Sequence, residues 1–182
     1  MLITTERLLL RAWRDDDLPA YAALNADPRV REFFPRLLTH AESDKEATWL
    51  RSHLETNGWG AWAVEVVGKV SFAGWVGLGP PDFGSHPPPF RHRTPCIEIG
   101  WRLAFDCWGQ GYATESANAV ARFGFETLRL EEIVSWAVKA NQRSRNVMSK
   151  IGMTYDSSED FYNPQAPPGH RLGPCVVYRL TG

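Results

Sequence analysis

Two glycines stand directly before a helix-forming stretch, in the segment W-G-Q-G-Y-A-T-E at residues 108–115. Apolar residues then recur at helical spacing, which predicts a helix over 112–128 that packs one face and presents its N-terminus. Glycines there let the backbone turn tightly, so that several N–H groups face one spot where the helix dipole adds partial positive charge. The pattern is typical of a phosphate site, although an isolated G-x-G also occurs in plain strand-to-helix turns.

Length and charge limit the class of protein. At 182 residues the chain is expected to form a single domain, 1–182, large enough to bury its own core. A net charge of -1 argues against a nucleic-acid partner and favours a small ligand. The three cysteines lack C-x-x-C spacing, so we expect reduced thiols, no metal and a cytoplasmic location. No apolar run approaches the ~20 residues of a membrane span, so we expect no membrane contact.

The remaining pattern mixes strands and helices. T-H-A-E at 39–42 matches a capping box, and Gly68-Lys69 is expected to close an antiparallel hairpin as a two-residue turn. A turn between Pro28 and Pro35 carries Phe33 and Phe34, either as core or as a lid. Predicted strands occupy 6–13, 59–67, 70–78, 96–104, 132–138, 153–157 and 175–180, and predicted helices begin near Asp15, Thr39, Tyr112 and Asn141.

A carboxylate stands in the middle of an otherwise apolar strand, where Glu98 alternates with Ile97 and Ile99. A charged group there is costly unless it is paired or used. Gly100 interrupts the same strand, and an isolated strand glycine often marks a bulge or a close approach of ligand to backbone. Glu98 is therefore either a functional group or a residue on an exposed face or in a salt bridge.

Several motifs together resemble the GCN5-related N-acetyltransferase (GNAT) superfamily, and within it the branch of the ribosomal-protein N-acetyltransferases RimJ and RimL. They are E-R-L-L-L-R at 6–11, E-I-G-W at 98–101, the glycine motif at 108–115, N-Q-R-S-R-N at 141–146 and K-I-G-M at 150–153. The resemblance implies an α+β fold with helices flanking a mostly antiparallel sheet of about six to seven strands. That sheet would be splayed between the fourth and fifth strands, with acetyl-CoA wedged there.

The resemblance also implies an activity. The protein would transfer the acetyl group of acetyl-CoA, its cosubstrate, to a primary amine of a protein N-terminus or a small molecule, without a metal. A homodimer is compatible with this assignment.

Coenzyme-binding residues are carried over from the family motifs. The amides of Gln110, Gly111, Tyr112 and Ala113 would cradle the pyrophosphate, within a motif that also includes Trp108, Gly109 and Thr114. The strand edge at Trp101, Arg102 and Leu103 would pair with the pantetheine arm, while Asn141 would contact the arm from the other side and Asn146 would lie near the adenosine.

The catalytic residues of the family are matched only in part by this chain. A protonated acceptor amine must lose a proton before it attacks a thioester, and Glu98 is the candidate base. Many relatives place a Tyr general acid where this chain has Met148, so Ser144 or a water must serve, or the thiolate leaves unassisted.

One alternative stays open: a non-catalytic acyl-CoA-binding or sensing module could share the fold. A dinucleotide-binding domain is suggested by Gly109-x-Gly111 with Glu131 about twenty residues later. That hypothesis fails because Thr114 replaces the third glycine and because hairpin strands lie upstream.

The segment 79–95 contains six prolines and is expected to be a loop bordering the acceptor side of the cleft. Its basic and histidine side chains would favour acceptors with an acidic group; they are His86, Arg91, His92 and Arg93.

Overall fold

The computed structural model describes residues 2–91 and 95–182, which form two compact units. The first contains the described residues of Met1–Leu78 and Gly100–Val120, and the second contains those of Gly79–Ile99 and Ala121–Gly182. The expectation of one domain over 1–182 stays a prediction.

The first unit contains the N-terminal strands, β1 (Ile3–Thr4), β2 (Leu8–Arg11), β3 (Ala61–Val66) and β4 (Val70–Gly79), and part of β5 (Glu98–Leu103). Neighbours pair in chain order, antiparallel from β1 to β4. The predicted hairpin is confirmed, but its turn has three residues, because Val66 pairs with Val70. Gly68 takes the left-handed conformation there, with φ of 72°.

The helices that begin in this unit are α1 (Leu18–Ala26), α2 (His40–Asn57) and α3 (Tyr112–Glu126). The capping box of α2 is confirmed: Thr39 accepts from the Glu42 N–H, and the Glu42 side chain accepts from the Thr39 N–H. Gly58 ends α2 with φ of 73°. These signals are local, which is why the sequence showed them.

A buried ion pair joins β2 to the turn before α1. Arg11 and Asp17 are 3% and 2% exposed, and two N–H···O bonds of 2.8 Å connect them. Arg11 Nε also donates to Glu65 on β3 at 2.7 Å. The buried charges of Arg11 and Asp17 therefore each have a partner of opposite charge, which the burial of ions requires.

A glycine in β4 allows β5 to approach closely. Gly74 has φ of 131°, and a Cβ built there would overlap the carbonyl oxygen of Arg102. The Ala104 N–H donates to the Ala73 carbonyl at 2.8 Å, beside that contact. Only glycine fits this point of contact between the two strands.

The second unit contains the start of β5, then β6 (Glu132–Val138), α4 (Gln142–Lys150), β7 (Thr154–Tyr155), β8 (Phe161–Tyr162) and β9 (Pro174–Thr181). Strands β7 and β8 pair antiparallel with β9, and β9 pairs along the whole of β6. By contrast, β5 and β6 are parallel and share one residue pair, Glu98 with Val134. The core of this unit includes Phe83, Phe90, Val134 and Val177.

The architecture is mixed α+β, as predicted, with an open and mostly antiparallel sheet. The described residues form nine strands, because the two-residue strands β1 and β8 add to the seven predicted. The described part of the segment 80–95 contains neither helix nor strand. Within the described residues, no helix combines the length and apolar character needed to cross a membrane.

Candidate functional site

The predicted glycine turn before α3 is present. Gly109 and Gly111 have φ of 73° and 83°, in the left-handed region that favours glycine. The Glu115 N–H donates to the Gly111 carbonyl at 2.9 Å and makes the first helical bond. By helix geometry, the N–H groups of residues 111–114 therefore have no partner inside the helix. They form an N-terminal cradle with the character of an anion site.

Arg7 braces this turn from another part of the chain. Its Nη1 donates to the Gln110 carbonyl at 3.0 Å, and its guanidinium lies 4.9 Å from the Tyr112 ring centroid. A trans peptide directs its carbonyl and the following N–H to opposite sides. The bond to Gln110 therefore turns the N–H of Gly111 away from Arg7.

Glu115 holds Arg7 in place. Its carboxylate accepts from Arg7 Nε at 2.7 Å, from the Arg7 N–H at 2.9 Å and from Thr5 Oγ1 at 2.6 Å. Burial acts to raise the pKa of Glu115, but the hydrogen bonds from Thr5 and Arg7 outweigh burial and lower it. Arg7 and Glu115 were not predicted as site residues. The E-R-L-L-L-R motif was the available signal, but it does not reveal its contact with α3.

The three residues predicted to contact the pantetheine arm do not all direct their main-chain groups to the same edge of β5. Arg102 directs its carbonyl toward Gly74 on β4, so the main-chain groups of Trp101 and Leu103 face the opposite edge of β5. The Leu103 carbonyl accepts from Trp108 Nε1 at 2.9 Å. Trp108 thereby ties the glycine turn to the end of β5.

The Arg102 side chain lies among helices α1 and α2. Its Nη1 donates to Tyr21 Oη at 3.0 Å, to Asn25 Oδ1 at 2.9 Å and to Glu46 Oε2 at 3.1 Å. Only its backbone was predicted to act, because the partners of a strand side chain cannot be read from periodicity.

Glu98 lies in the second unit, half-buried on β5. It accepts a hydrogen bond from Trp136 Nε1 at 3.1 Å, and no described Arg or Lys forms an ion pair with it. Burial raises the pKa of Glu98 to about 8, with a further contribution from the charge of Asp82, while the bond from Trp136 acts against the rise. Such a carboxylate can both take and hold a proton near neutral pH.

At the start of α4, Asn141 is the N-cap, as predicted. Its Oδ1 accepts from the Ser144 N–H at 3.2 Å and its Nδ2 donates to Ser144 Oγ at 3.1 Å. Asn146 is exposed and accepts from Gln142 Nε2 at 2.7 Å. Met148 is 1% exposed and belongs to the core. The assigned roles of Asn141, Ser144 and Asn146 stay predictions.

The proline-rich segment is anchored by its aromatic residues. Phe83 and Phe90 are buried, and Arg91 pairs with Glu159 at 3.3 Å. The His86 ring lies 3.3 Å from the Phe83 carbonyl. His92 and Arg93 lie outside the described residues, and the acceptor role of the segment stays a prediction.

Within residues 2–91 and 95–182, no group of three His, Cys, Asp or Glu side chains is arranged to hold a metal ion. That no metal is used stays a prediction.

Comparison with known proteins gives the class. The family model of the acetyltransferase (GNAT) domain matches residues 7–154, so the chain belongs to the GNAT family of acetyltransferases. Members of this family use acetyl-CoA. The superfamily resemblance is thereby confirmed, and the dinucleotide-binding alternative is wrong. The RimJ/RimL branch stays a prediction.

Three relatives illustrate the match. The FsC-acetyl coenzyme A-N(2)-transacetylase of Aspergillus fumigatus is 36% identical over 163 residues, which cover 87% of this chain but only 66% of that protein. An acetyltransferase from Agrobacterium tumefaciens has a TM-score of 0.75 at 29% identity, covering 100% of this chain and 95% of the other. A GNAT acetyltransferase from Bacillus anthracis has a TM-score of 0.78 at 25% identity, covering 100% and 98%.

Proposed function

We propose that this protein transfers the acetyl group of acetyl-CoA to the primary amine of a small molecule or a protein N-terminus, in one ternary complex. The observation that carries the proposal is the cradle of N–H groups at residues 111–114, opened by Gly109 and Gly111. Unpaired amides at a helix N-terminus match the charge and geometry of a pyrophosphate. The Gln110 peptide next to these amides is held by Arg7, whose guanidinium is itself paired with Glu115.

The free edge of β5 extends this binding surface. The main-chain groups of Trp101 and the N–H of Leu103 pair with the amides of the pantetheine arm, while the Leu103 carbonyl already accepts from Trp108 Nε1. The backbone of Arg102 takes no part, since it faces β4.

Glu98 acts as the general base, directly or through one water. The acceptor ammonium gives its proton to the carboxylate, and the freed amine nitrogen attacks the carbonyl carbon of the thioester. The carbon–sulfur bond then breaks, the sulfur leaves with the bonding electron pair, and the new amide nitrogen releases its remaining extra proton to water. Its raised pKa lets Glu98 take this proton near neutral pH.

Ser144 Oγ is the proposed donor to the leaving sulfur. Because Oγ accepts from Asn141 Nδ2, its own hydrogen is directed elsewhere and is available for donation. Ser144→Ala should lower kcat severalfold without changing the Kd for acetyl-CoA. An unchanged kcat at every pH would assign the proton to water or show that the thiolate leaves unassisted.

An amine-acceptor screen with detection of free coenzyme A tests the function. We expect acetyl-CoA-dependent turnover with at least one class of amine and loss of turnover in Glu98→Gln. Acetyl-CoA binding by calorimetry without turnover on a broad amine and peptide panel would favour a non-catalytic acyl-CoA-binding module. Absence of binding would overturn the proposal.

A further inference from the structure

A cluster of two arginines and one carboxylate lies inside the first unit. Arg31 and Arg102 are 7% and 8% exposed. Both donate to Asn25 Oδ1, at 3.5 Å and 2.9 Å, and Arg102 also contacts the carboxylate of Glu46. Arg31 Nε also donates to the neutral carbonyl of Arg36 at 3.0 Å.

The charges of this cluster do not cancel. Burial acts to raise the pKa of Glu46, but the adjacent Arg102 outweighs it and lowers the pKa, so Glu46 is ionised at neutral pH. Burial raises the pKa of Tyr21 to about 12, so Tyr21 is neutral. The pKa of Arg31 falls to about 10 through burial and then through the charge of Arg102, yet it remains cationic. Two positive charges thus share one negative charge, and a buried excess charge favours an anionic partner.

Two buried N–H groups beside this charge have no acceptor among the described residues. They are Arg102 Nε and Trp75 Nε1. The guanidinium of Arg102 lies 5.5 Å from the Trp75 ring centroid, so the two side chains are neighbours. A buried donor without a partner is destabilising, and an acceptor oxygen within hydrogen-bond distance would remove that penalty.

Phe34 covers the two arginines. Its ring centroid lies 4.3 Å from Arg31 Cζ and 4.5 Å from Arg102 Cζ. Phe34 is half-buried, and residues 27–36 form turns without helix or strand. Displacement of this side chain therefore breaks no regular element, and it would expose the guanidinium groups to a ligand.

We propose that Arg31, Arg102 and Trp75 bind a carboxylate of the acceptor, so that the enzyme prefers amines that carry a carboxylate, with Phe34 as the cover of this site. The inference rests on the proposed transferase function. Arg102 stands between Trp101 and Leu103, the residues proposed to bind the pantetheine arm. The acceptor's carboxylate would thus be held by the strand that also holds the acetyl donor.

Two amines that differ only in a carboxylate test the preference. L-lysine and 1,5-diaminopentane are compared by free coenzyme A release. We expect kcat/KM to be at least tenfold higher for L-lysine, and we expect Arg31→Met and Trp75→Phe to reduce this ratio through the acceptor KM. Arg14→Met, which removes an exposed arginine that pairs with Glu65, should leave the ratio unchanged. Equal kcat/KM values, or a ratio that Trp75→Phe and Arg31→Met leave intact, would overturn the inference.

A binding measurement decides the matter independently of turnover. The indole N–H resonance of Trp75, assigned by its absence in Trp75→Phe, is followed by NMR during titration with sodium acetate and, at equal ionic strength, sodium chloride. We expect a saturable shift with acetate alone, and a severalfold lower half-saturation in Phe34→Ala. No shift, or the same shift with chloride, would overturn the anion site. If acetate shifts the Trp75 resonance but the protein acetylates no amine, the anion site is supported and the transferase function is contradicted.

Discussion

The carbonyl oxygen of Gln110 lies 3.0 Å from Nη1 of Arg7, although the two residues are 103 positions apart. The direction of one peptide in the cradle is therefore set by a residue between β1 and β2. Gly109 and Gly111 give the turn its backbone conformation, and the distant Arg7 fixes the orientation of the peptide between Gln110 and Gly111.

We expect Arg7→Met to weaken acetyl-CoA binding about tenfold, since a charged hydrogen bond contributes roughly 1.5–3 kcal/mol and the Gln110 peptide would lose its orientation. Calorimetry gives the Kd. Arg14→Met is the matched control, because it removes another exposed arginine of the same unit. Wild-type affinity in folded Arg7→Met would show that the turn keeps its shape unaided.

Gly111→Asp should abolish measurable acetyl-CoA binding, because a carboxylate would stand among the amides proposed to hold the pyrophosphate. Its Cβ would lie 3.3 Å from Arg7 Nη2, a flexible group that can move. Gly58→Asp is the control, since Gly58 has a similar φ of 73° and open space around its Cβ. Circular dichroism checks that both variants fold. If folded Gly111→Asp and Gly58→Asp bind acetyl-CoA with equal affinity, the glycine turn does not hold the pyrophosphate.

The pH dependence of catalysis should report Glu98. In the wild type, kcat/KM should rise with pH through an apparent pKa near 8, since only the ionised carboxylate accepts a proton. Glu98→Gln should lose this rise and lower turnover by about 10² or more, with the Kd for acetyl-CoA unchanged. A fully active variant would assign Glu98 a structural role.

Glu98 should also make the fold less stable at high pH. Its pKa of about 8 lies above the ordinary value of 4.5, so the native state holds a proton that the unfolded chain releases between these two values. The stabilisation is full below pH 4.5 and is lost as the pH rises through 8. Urea unfolding at pH 5 and pH 9 should therefore show a larger loss of stability in the wild type than in Glu98→Gln. Parallel losses would contradict the raised pKa.

Removal of Asp17, the buried partner of Arg11, should strongly lower the stability of the fold. Asp17→Ala is expected to cost about 3–5 kcal/mol in the free energy of unfolding, because both Nη groups of the buried Arg11 lose their carboxylate partner. Asp15→Ala, which breaks an exposed pair with Arg51, should cost less than about 1 kcal/mol. Denaturant titrations measure both, and similar small losses would show that water or Glu65 satisfies Arg11.

The features that the sequence predicted well are local. The Thr39 capping box, the hairpin at Gly68 and the turn before α3 each depend on a few adjacent residues, so their chemistry is visible in the chain. The strands β1 and β8 were missed because two residues carry no measurable alternation.

The features that could not be predicted join distant segments. Periodicity shows which face of an element is buried, but it does not name the residue on the other side. The contact of Arg7 with α3 and that of Arg102 with α1 and α2 depend on tertiary packing alone. For the same reason, the charge excess around Arg31 is invisible until the chain is folded.

Strand β5 can lie close to β4 because residue 74 is a glycine and has no Cβ. A methyl group at residue 74 would push against the main chain of Arg102 and Leu103 and shift the edge that carries Trp101. A side chain at residue 74 is therefore expected to weaken the proposed binding of the pantetheine arm by displacing backbone, although residue 74 supplies no group to the ligand. A library that varies Arg31, Phe34 and Trp75 to change the proposed acceptor site should therefore keep residue 74 as glycine.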